Sequence, residues 1–490
     1  MRKTYDLQEK LSEIEKVIAQ GPFRDDWESL SSYEVPGWYE KMRFGIFIHY
    51  GVFSVPAYDS EWYPRMMYMK GSRAYEHHRE VYGPQSEFGL KDFIPMFRAE
   101  HFDADRWVDV FKKSGAQYVV PVAEHHDGFQ MYDSELSSYN AVQMGPKKDI
   151  VGSLKKSAEA AGLVFGVSSH RIEHFFFLGG GREFDSDIRG EFQRGDLYWP
   201  SEKGPSDFDR IDGECSLSEE FMQDWLVRTC ELIDRYQPRI LYFDWWIQRV
   251  ELRAYLKKLA AYYYNRAAER GQEVVINYKH DAFPFGIAVP DVERGQLAAQ
   301  KPYRWQSDTA MCFNSWCYTT ENRYKEAKDI LCDLIDINSK NGTMLLNIGP
   351  KEDGTFTREE TQILETIGAW LEKNAEAVFL SKPYRIFGEG PTDIVEGGFQ
   401  DKAAKAFTSS DFRFFAGCGC VYAIALRPDP EGYYNIRSFA KKQGKLNALI
   451  GEITCLADGR KAEFDHAEDG LKIRCRVEGE MPVSFRIRLV

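Results

Sequence analysis

Short apolar runs alternate with long amphipathic stretches along most of this chain, and that alternation restricts its fold more than any other feature. The runs are Phe44–His49, Tyr118–Ala123, Val164–Ser169, Ile240–Asp244, Val274–Asn277 and Met344–Ile348. They are short, rich in Val, Ile, Leu and aromatic residues, and read as buried strands. Between them lie helix-period stretches: Ala104–Ser114, Ile150–Ala161, Ser218–Tyr236, Leu252–Glu269, Arg323–Asn338 and Arg358–Asn374. Strand and helix alternating over roughly 300 residues predict an α/β fold with a parallel sheet. The length and the polar residues repeated at strand ends favour a (β/α)8-like TIM barrel over an open sheet. No GxGxxG or Walker loop opens a helix, which argues against a nucleotide-binding sheet. A further amphipathic stretch, Leu7–Ala19, is expected to pack outside the barrel.

The pattern changes near Phe379–Tyr384. Beyond it come short alternating segments separated by Gly, Asp and Pro: Cys420–Leu426, Tyr434–Ser438, Ala448–Thr454, Leu471–Val477 and Val483–Val490. These predict a C-terminal antiparallel β-sandwich. The expected division is 1–380 for the barrel with its helical N-terminal extension and 381–490 for the sandwich. At 490 residues the chain is too long for one ordinary core. A net charge of −13 argues against nucleic acid and anionic membrane as partners. No apolar stretch of about 18 residues occurs, so no membrane span is expected. The charged start predicts no export signal and a cytoplasmic location. Nine scattered cysteines are expected to be reduced and buried.

Four of the runs end in polar side chains that suit a sugar. Arg239-Ile240-Leu241-Tyr242-Phe243-Asp244 reaches a carboxylate followed by Trp245 and Trp246. A carboxylate beside aromatic rings can meet a reactive carbon and an apolar sugar face together. The run from Phe44 ends in His49, and a short loop then presents Glu61 and Trp62. Imidazole and carboxylate can bind neighbouring hydroxyls. The run from Tyr118 ends in Glu124-His125-His126-Asp127, and that from Val164 in Ser168-Ser169-His170. Adjacent histidines rarely both reach one metal from a strand end, so no metal is expected. Ser169 and His170 point to opposite faces of an extended strand and no Gly-x-Ser-x-Gly elbow is present, so a serine hydrolase is disfavoured.

Together the segments Phe44–Gly51, Ser60–Tyr63, His125–Phe129 with Gly145-Pro146-Lys147-Lys148-Asp149, Phe243-Asp244, Ser315-Trp316-Cys317-Tyr318, and Asn341–Pro350 with Asp353-Gly354 closely resemble glycoside hydrolase family 29, the α-L-fucosidases. The resemblance runs from about Trp38 to Tyr384, in order and in spacing. It implies a retaining exo-glycosidase that removes terminal α-L-fucose from an oligosaccharide or glycoconjugate, with no cofactor. Asp244 resembles the family nucleophile. His49, Glu61, Trp62, His125 and His126 resemble the fucose-binding set, and His170, Trp246 and Trp316 are expected to join it.

Two departures bear on mechanism. Where many members carry a Glu after a Trp as general acid/base, this chain has Trp305-Gln306, and an amide cannot donate and recover a proton. Some members carry the acid on an earlier loop, which here holds Asp291-Val292-Glu293-Arg294-Gly295; Glu293 is therefore the expected acid/base. Burial and the charge of Asp244 are expected to raise its pKa. The family's Asn-Asp-Arg reads Asn277-Tyr278-Lys279, so Lys279 stands in for a guanidinium without its planar fork. Competing readings are an α-glycosidase on a related sugar such as α-L-galactose, and a catalytically impaired fucose-binding protein.

Overall fold

The computed structural model describes residues 5–205, 216–401, 406–442 and 444–490. Eight parallel strands form the first sheet: β1 (Phe44–Ile48), β2 (Tyr118–Glu124), β3 (Val164–Ser169), β4 (Ile240–Phe243), β5 (Val275–Tyr278), β6 (Val289–Pro290), β7 (Trp305–Ala310) and β8 (Gly342–Ile348). Their order is β6-β5-β4-β3-β2-β1-β8-β7. The ends meet where Asp291 bridges Gln306 in parallel, and where the Val292 and Arg294 amides donate to Gln306 O (2.9 Å) and Asp308 O (2.7 Å). The sheet is thus a closed barrel with helices outside.

Two strands were absent from the sequence expectation. β6 is only two residues long, and Gln306, Ser307 and Asp308 keep β7 from standing out as an apolar run. All six residues of β7 are nevertheless buried, because their polar groups pair inside the barrel and with adjoining loops. Tyr39 and Tyr118 hydroxyls donate to Gln306 Oε1, whose amide donates to Asp291 Oδ1 at 2.8 Å.

The barrel interior is a packed apolar plug of Phe47, Tyr118, Val120, Val122, Ile240, Tyr242, Val275, Val289 and Leu345. A side chain at Gly45 would place its Cβ 2.3 Å from the Tyr118 ring, so glycine there makes room for that ring. The N-terminal helix Leu7–Gln20 is capped by the Asp6 carboxylate and lies outside, burying Leu7, Ile14, Val17 and Ile18.

The last barrel helices, Arg358–Lys373 and Ala375–Val378, lead into β9 (Lys382–Glu389). With β10 (Phe412–Gly417), β11 (Cys420–Ala425), β12 (Tyr433–Ile436), β13 (Ile450–Cys455), β14 (Glu463–Ala467), β15 (Gly470–Arg474) and β16 (Val483–Leu489), it builds two antiparallel sheets. One runs β13-β16-β11-β10-β9 and the other β12-β15-β14. Their facing residues, among them Phe414, Tyr434, Ile473 and Phe485, form a separate core. Phe415, Tyr422, Ile424 and Leu426 instead join the apolar core of the barrel. Six of the eight described cysteines are buried; Cys418 is exposed and Cys420 partly so, contrary to expectation, because they lie on the β10–β11 turn. The ninth, Cys215, lies outside the described residues.

Candidate active site

The C-terminal ends of β1 to β5, β7 and the loops after β6 and β7 converge on a cavity of about 410 Å³. Its wall includes His49, Glu61, Trp62, His125, His126, His170, Asp244, Lys279, Glu293 and Trp316. β2 carries a bulge between Val122 and Glu124 just before the histidine pair, and bulges beside active sites re-aim the side chains that follow. The ends of β2 and β3 are tied together from beneath. Arg171 reaches Glu124 at 2.9 Å and Asp224 at 3.1 Å, and Arg228 reaches the same two carboxylates at 3.2 and 2.8 Å. This buried square holds the residues flanking His125 and His170.

Asp244 sits just past β4, 8% exposed. Lys279 Nζ lies 3.1 Å from its Oδ1, and His126 Nε2 lies 3.3 Å from Oδ2. His170 Nδ1 is 3.2 Å from Oδ2 but outside hydrogen-bond alignment. Burial alone would raise the Asp244 pKa; the Lys279 charge, with His170 and His126, outweighs it and holds the carboxyl well below the usual range. His126 is itself gripped from behind, its Nδ1 being 3.1 Å from Glu173 Oε2. Burial opposes its protonation, but the charges of Glu173 and Asp244 win and raise its pKa to about 9. At neutral pH Asp244 therefore stands as an anion between an ammonium and an imidazolium.

Lys279 is the hub of the site. Its ammonium donates to Glu293 Oε2 at 2.5 Å and to Asp308 Oδ2 at 3.3 Å, besides facing Asp244. Burial would lower its pKa; the charges of Asp308, Glu293, Asp244 and Asp291 instead raise it well above the ordinary lysine value. Even with the His126 imidazolium, two cations face four carboxylates, which favours keeping some of them protonated. Burial and the charges of Asp308 and Asp244 push Glu293 up to about 7, against the pull of Lys279. Burial and Asp308 also raise Asp291, which lies deeper and is bonded to Gln306. Glu293 keeps 19% of its side chain exposed, the most open of the carboxyls that Lys279 contacts.

Around this charged floor are aromatic walls and neutral imidazoles. Burial lowers the pKa of His49, His125 and His170. His49 Nδ1 pairs with Asn347 Oδ1 at 2.6 Å; because the Asn347 amide nitrogen donates to Trp316 O, His49 carries its proton on Nδ1 and presents Nε2 as an acceptor. Glu61 Oε2 accepts from the Trp316 amide at 2.9 Å, fixing the loop that carries this indole. Trp62 packs edge-on against His126 and Phe177. Such a pocket offers hydroxyl partners on one side and flat apolar faces on the other.

A profile of the Alpha-L-fucosidase family matches residues 10–376. The chain belongs to the alpha-L-fucosidase family. It is 31% identical to human plasma alpha-L-fucosidase over 372 residues, covering 74% of this chain and 73% of that protein. To the rat tissue alpha-L-fucosidase it is 27% identical over 434 residues, 86% of this chain and 82% of the relative. Its fold is similar to that of the Thermotoga maritima alpha-fucosidase solved in complex with fucose, at a TM-score of 0.72 and 27% identity over 95% of this chain and all of the other. The chain is thus a glycoside hydrolase, an alpha-L-fucosidase built on a barrel and a β-sandwich.

Of the residues singled out from the alpha-L-fucosidase sequence, all but one line this cavity. The exception is Trp246, expected against the sugar but packed behind the wall. It is 1% exposed, adopts a left-handed backbone (φ 78) and packs its ring 4.4 Å from Phe176, under the Arg249 guanidinium. The turn at Trp246 leaves Trp245 on the cavity wall instead. The structure adds Phe47, Tyr242, His280, Asp308 and Phe399 to that wall, and Glu173 behind it. Glu173 was legible only as an acid three residues after His170, with nothing to show that it turns back to His126. Gln306 is fully buried among Tyr39, Tyr118 and Asp291 and is not part of the wall.

Ligand atoms of His49, His125 and His170 lie within 4.8 Å of one another, as do those of His126, His170 and Asp244. The second group is ill suited to a metal, since His126 carries a proton on each nitrogen at neutral pH. The first consists of neutral imidazoles, which are competent donors.

Proposed function

We propose that this alpha-L-fucosidase cleaves terminal α-L-fucosides with retention, Asp244 acting as nucleophile and Glu293 as general acid and base. The observation that carries the reading is that both carboxyls touch one ammonium, Asp244 at 3.1 Å and Glu293 at 2.5 Å from Lys279. Oxygens held 3.1 and 2.5 Å from one nitrogen are at most about 5.6 Å apart, which supports the short spacing of a retaining pair, roughly 5–5.5 Å, over the roughly 6.5–9.5 Å that leaves room for water in an inverting one. Their ionisation also divides as the chemistry requires, Asp244 as anion and Glu293 protonated up to about pH 7.

In the first step an Asp244 oxygen attacks the anomeric carbon while Glu293 gives its proton to the departing oxygen. The glycosidic bond breaks and a fucosyl ester of Asp244 forms. In the second step Glu293 takes a proton from water, the water oxygen attacks the same carbon, and the ester bond breaks. In this reading His49, His125 and His170 meet the sugar hydroxyls, which their presence on the cavity wall supports. Buried nitrogens on His125 and His170 have no hydrogen-bond partner among the described residues, which is costly unless a ligand supplies one. No step requires a metal or an organic cofactor.

The test is hydrolysis of an aryl α-L-fucoside, run beside the α-L-galactoside, with the product anomer followed by NMR. The expected first product is α-fucose, with the galactoside slower. First-formed β-fucose would overturn retention, and inertness of every aryl α-fucoside would overturn the activity.

A further inference from the structure

Phe399 belongs to neither the barrel nor the sandwich by packing. It lies in the connection from β9 to β10 and is absent from all three apolar clusters. The residue is 65% exposed, yet it lines the catalytic cavity together with Lys279, His280, Glu293 and Trp316.

The backbone around it is fixed to the loop that carries Glu293. The Phe399 amide donates to Glu293 O at 2.8 Å, the Gln400 amide to Arg294 O at 2.9 Å and the Gly397 amide to Gln296 O at 3.1 Å. Asp401 completes the joint, accepting from Arg294 at 3.0 Å and from Lys325 at 2.8 Å. The contact is close enough that a Cβ on Gly295 would lie 1.8 Å from Gly397 O, so glycine is required there. Phe399 itself is held in the left-handed region (φ 57), which a bulky residue adopts only when its surroundings enforce it. A strained backbone that keeps an aromatic ring in solvent beside an acid has no explanation in packing.

Glu293 faces the leaving oxygen in the proposed mechanism, so the departing group lies on its side of the cavity. We propose that Phe399 is the platform of a leaving-group subsite, stacking on the C–H face of a hexopyranose joined to fucose. The inference rests on the fucoside-cleaving reading above. It also means that the β9–β10 connection, outside the barrel sequence, completes the substrate site.

The test compares fucosyl-hexose disaccharides with α-L-fucosyl fluoride, whose leaving group is too small to reach Phe399. Phe399→Ala is expected to lower kcat/KM on the best disaccharide about five- to tenfold more than on the fluoride, the range of an aromatic stacking contact. Phe399→Trp should keep the wild-type ratio, and Phe399→Leu, which retains the apolar volume, should follow Ala. An equal loss on both substrates would make Phe399 structural and overturn the proposal. So would an unchanged ratio, or a wild type that cleaves the fluoride and no disaccharide. A wild type inert towards the fluoride would instead sink the fucoside-cleaving reading, and this one with it.

Discussion

Asp244 and Glu293 are both carboxyls above one barrel, and their surroundings assign them opposite states. Asp244 meets Lys279 and the doubly protonated His126, while Glu293 meets Lys279 at the cost of two neighbouring anions. Asp244→Ala should therefore fold and lose on the order of three or more decades of kcat, because the covalent route is removed. Added azide should partly restore turnover and leave a fucosyl azide, detectable by mass spectrometry; near-native turnover without azide would reject Asp244 as nucleophile. For Glu293 the sign follows from its raised pKa. The active, protonated form is present below about 7 and is lost as pH rises through that value, so kcat/KM should fall on the alkaline side near pH 7. Glu293→Ala should flatten that limb, and should damage poor leaving groups far more than activated aryl fucosides. If Asp308→Ala does this and Glu293→Ala does not, the proton comes from Asp308.

At the scale of elements, the strand ends are supported by a buried ionic layer. Arg171 and Arg228 clasp Glu124 and Asp224 with no side chain of the four more than a few per cent exposed. Removing one partner from such a group leaves a buried charge uncompensated, which costs about 3–5 kcal/mol. Arg171→Met should lower the unfolding free energy by an amount of that order, read by urea denaturation, and should weaken fucose binding through His125 and His170. A variant as stable as wild type would show that the layer only fills space. Much of the barrel was legible in sequence because β1 to β5 and β8 are mostly apolar runs, and the polar groups just past them that line the cavity, His49, His125, His170 and Asp244, stood out for the same reason; Glu293, after the two-residue β6, was singled out only through the family resemblance. β7 was not, since its Gln306 and Asp308 find partners only after the barrel closes. Glu173 and Phe399 were hidden differently. The first leaves a short 3-10 turn and the second a distant connection, and neither carries a periodic signal.

At the scale of the whole molecule, the sandwich and the barrel are joined through shared interior. Phe415, Tyr422, Ile424 and Leu426 pack into the barrel core, Arg413 pairs with buried Asp336, and Trp370 Nε1 donates to Pro482 O at 2.8 Å. A fragment ending at residue 380 would expose this surface and leave Asp336 paired with Lys340 alone. The full chain is expected to melt in one calorimetric transition, and the 1–380 fragment to be insoluble or molten. Two resolved transitions, or a soluble fragment that melts sharply, would show that the halves are thermodynamically separate.

The ammonium of Lys279 has one more consequence in the proposed cycle. When the fucosyl ester forms, Asp244 gives up its negative charge, and Glu293, having released its proton, acquires one. Both lie against the same nitrogen, so the charge hops across a stationary counterion and the electrostatic load on the floor of the barrel is the same before and after. The protein has nothing to reorganise between the two half-reactions. In this site a compact cation that can touch both acids acts as an axle about which the charge turns.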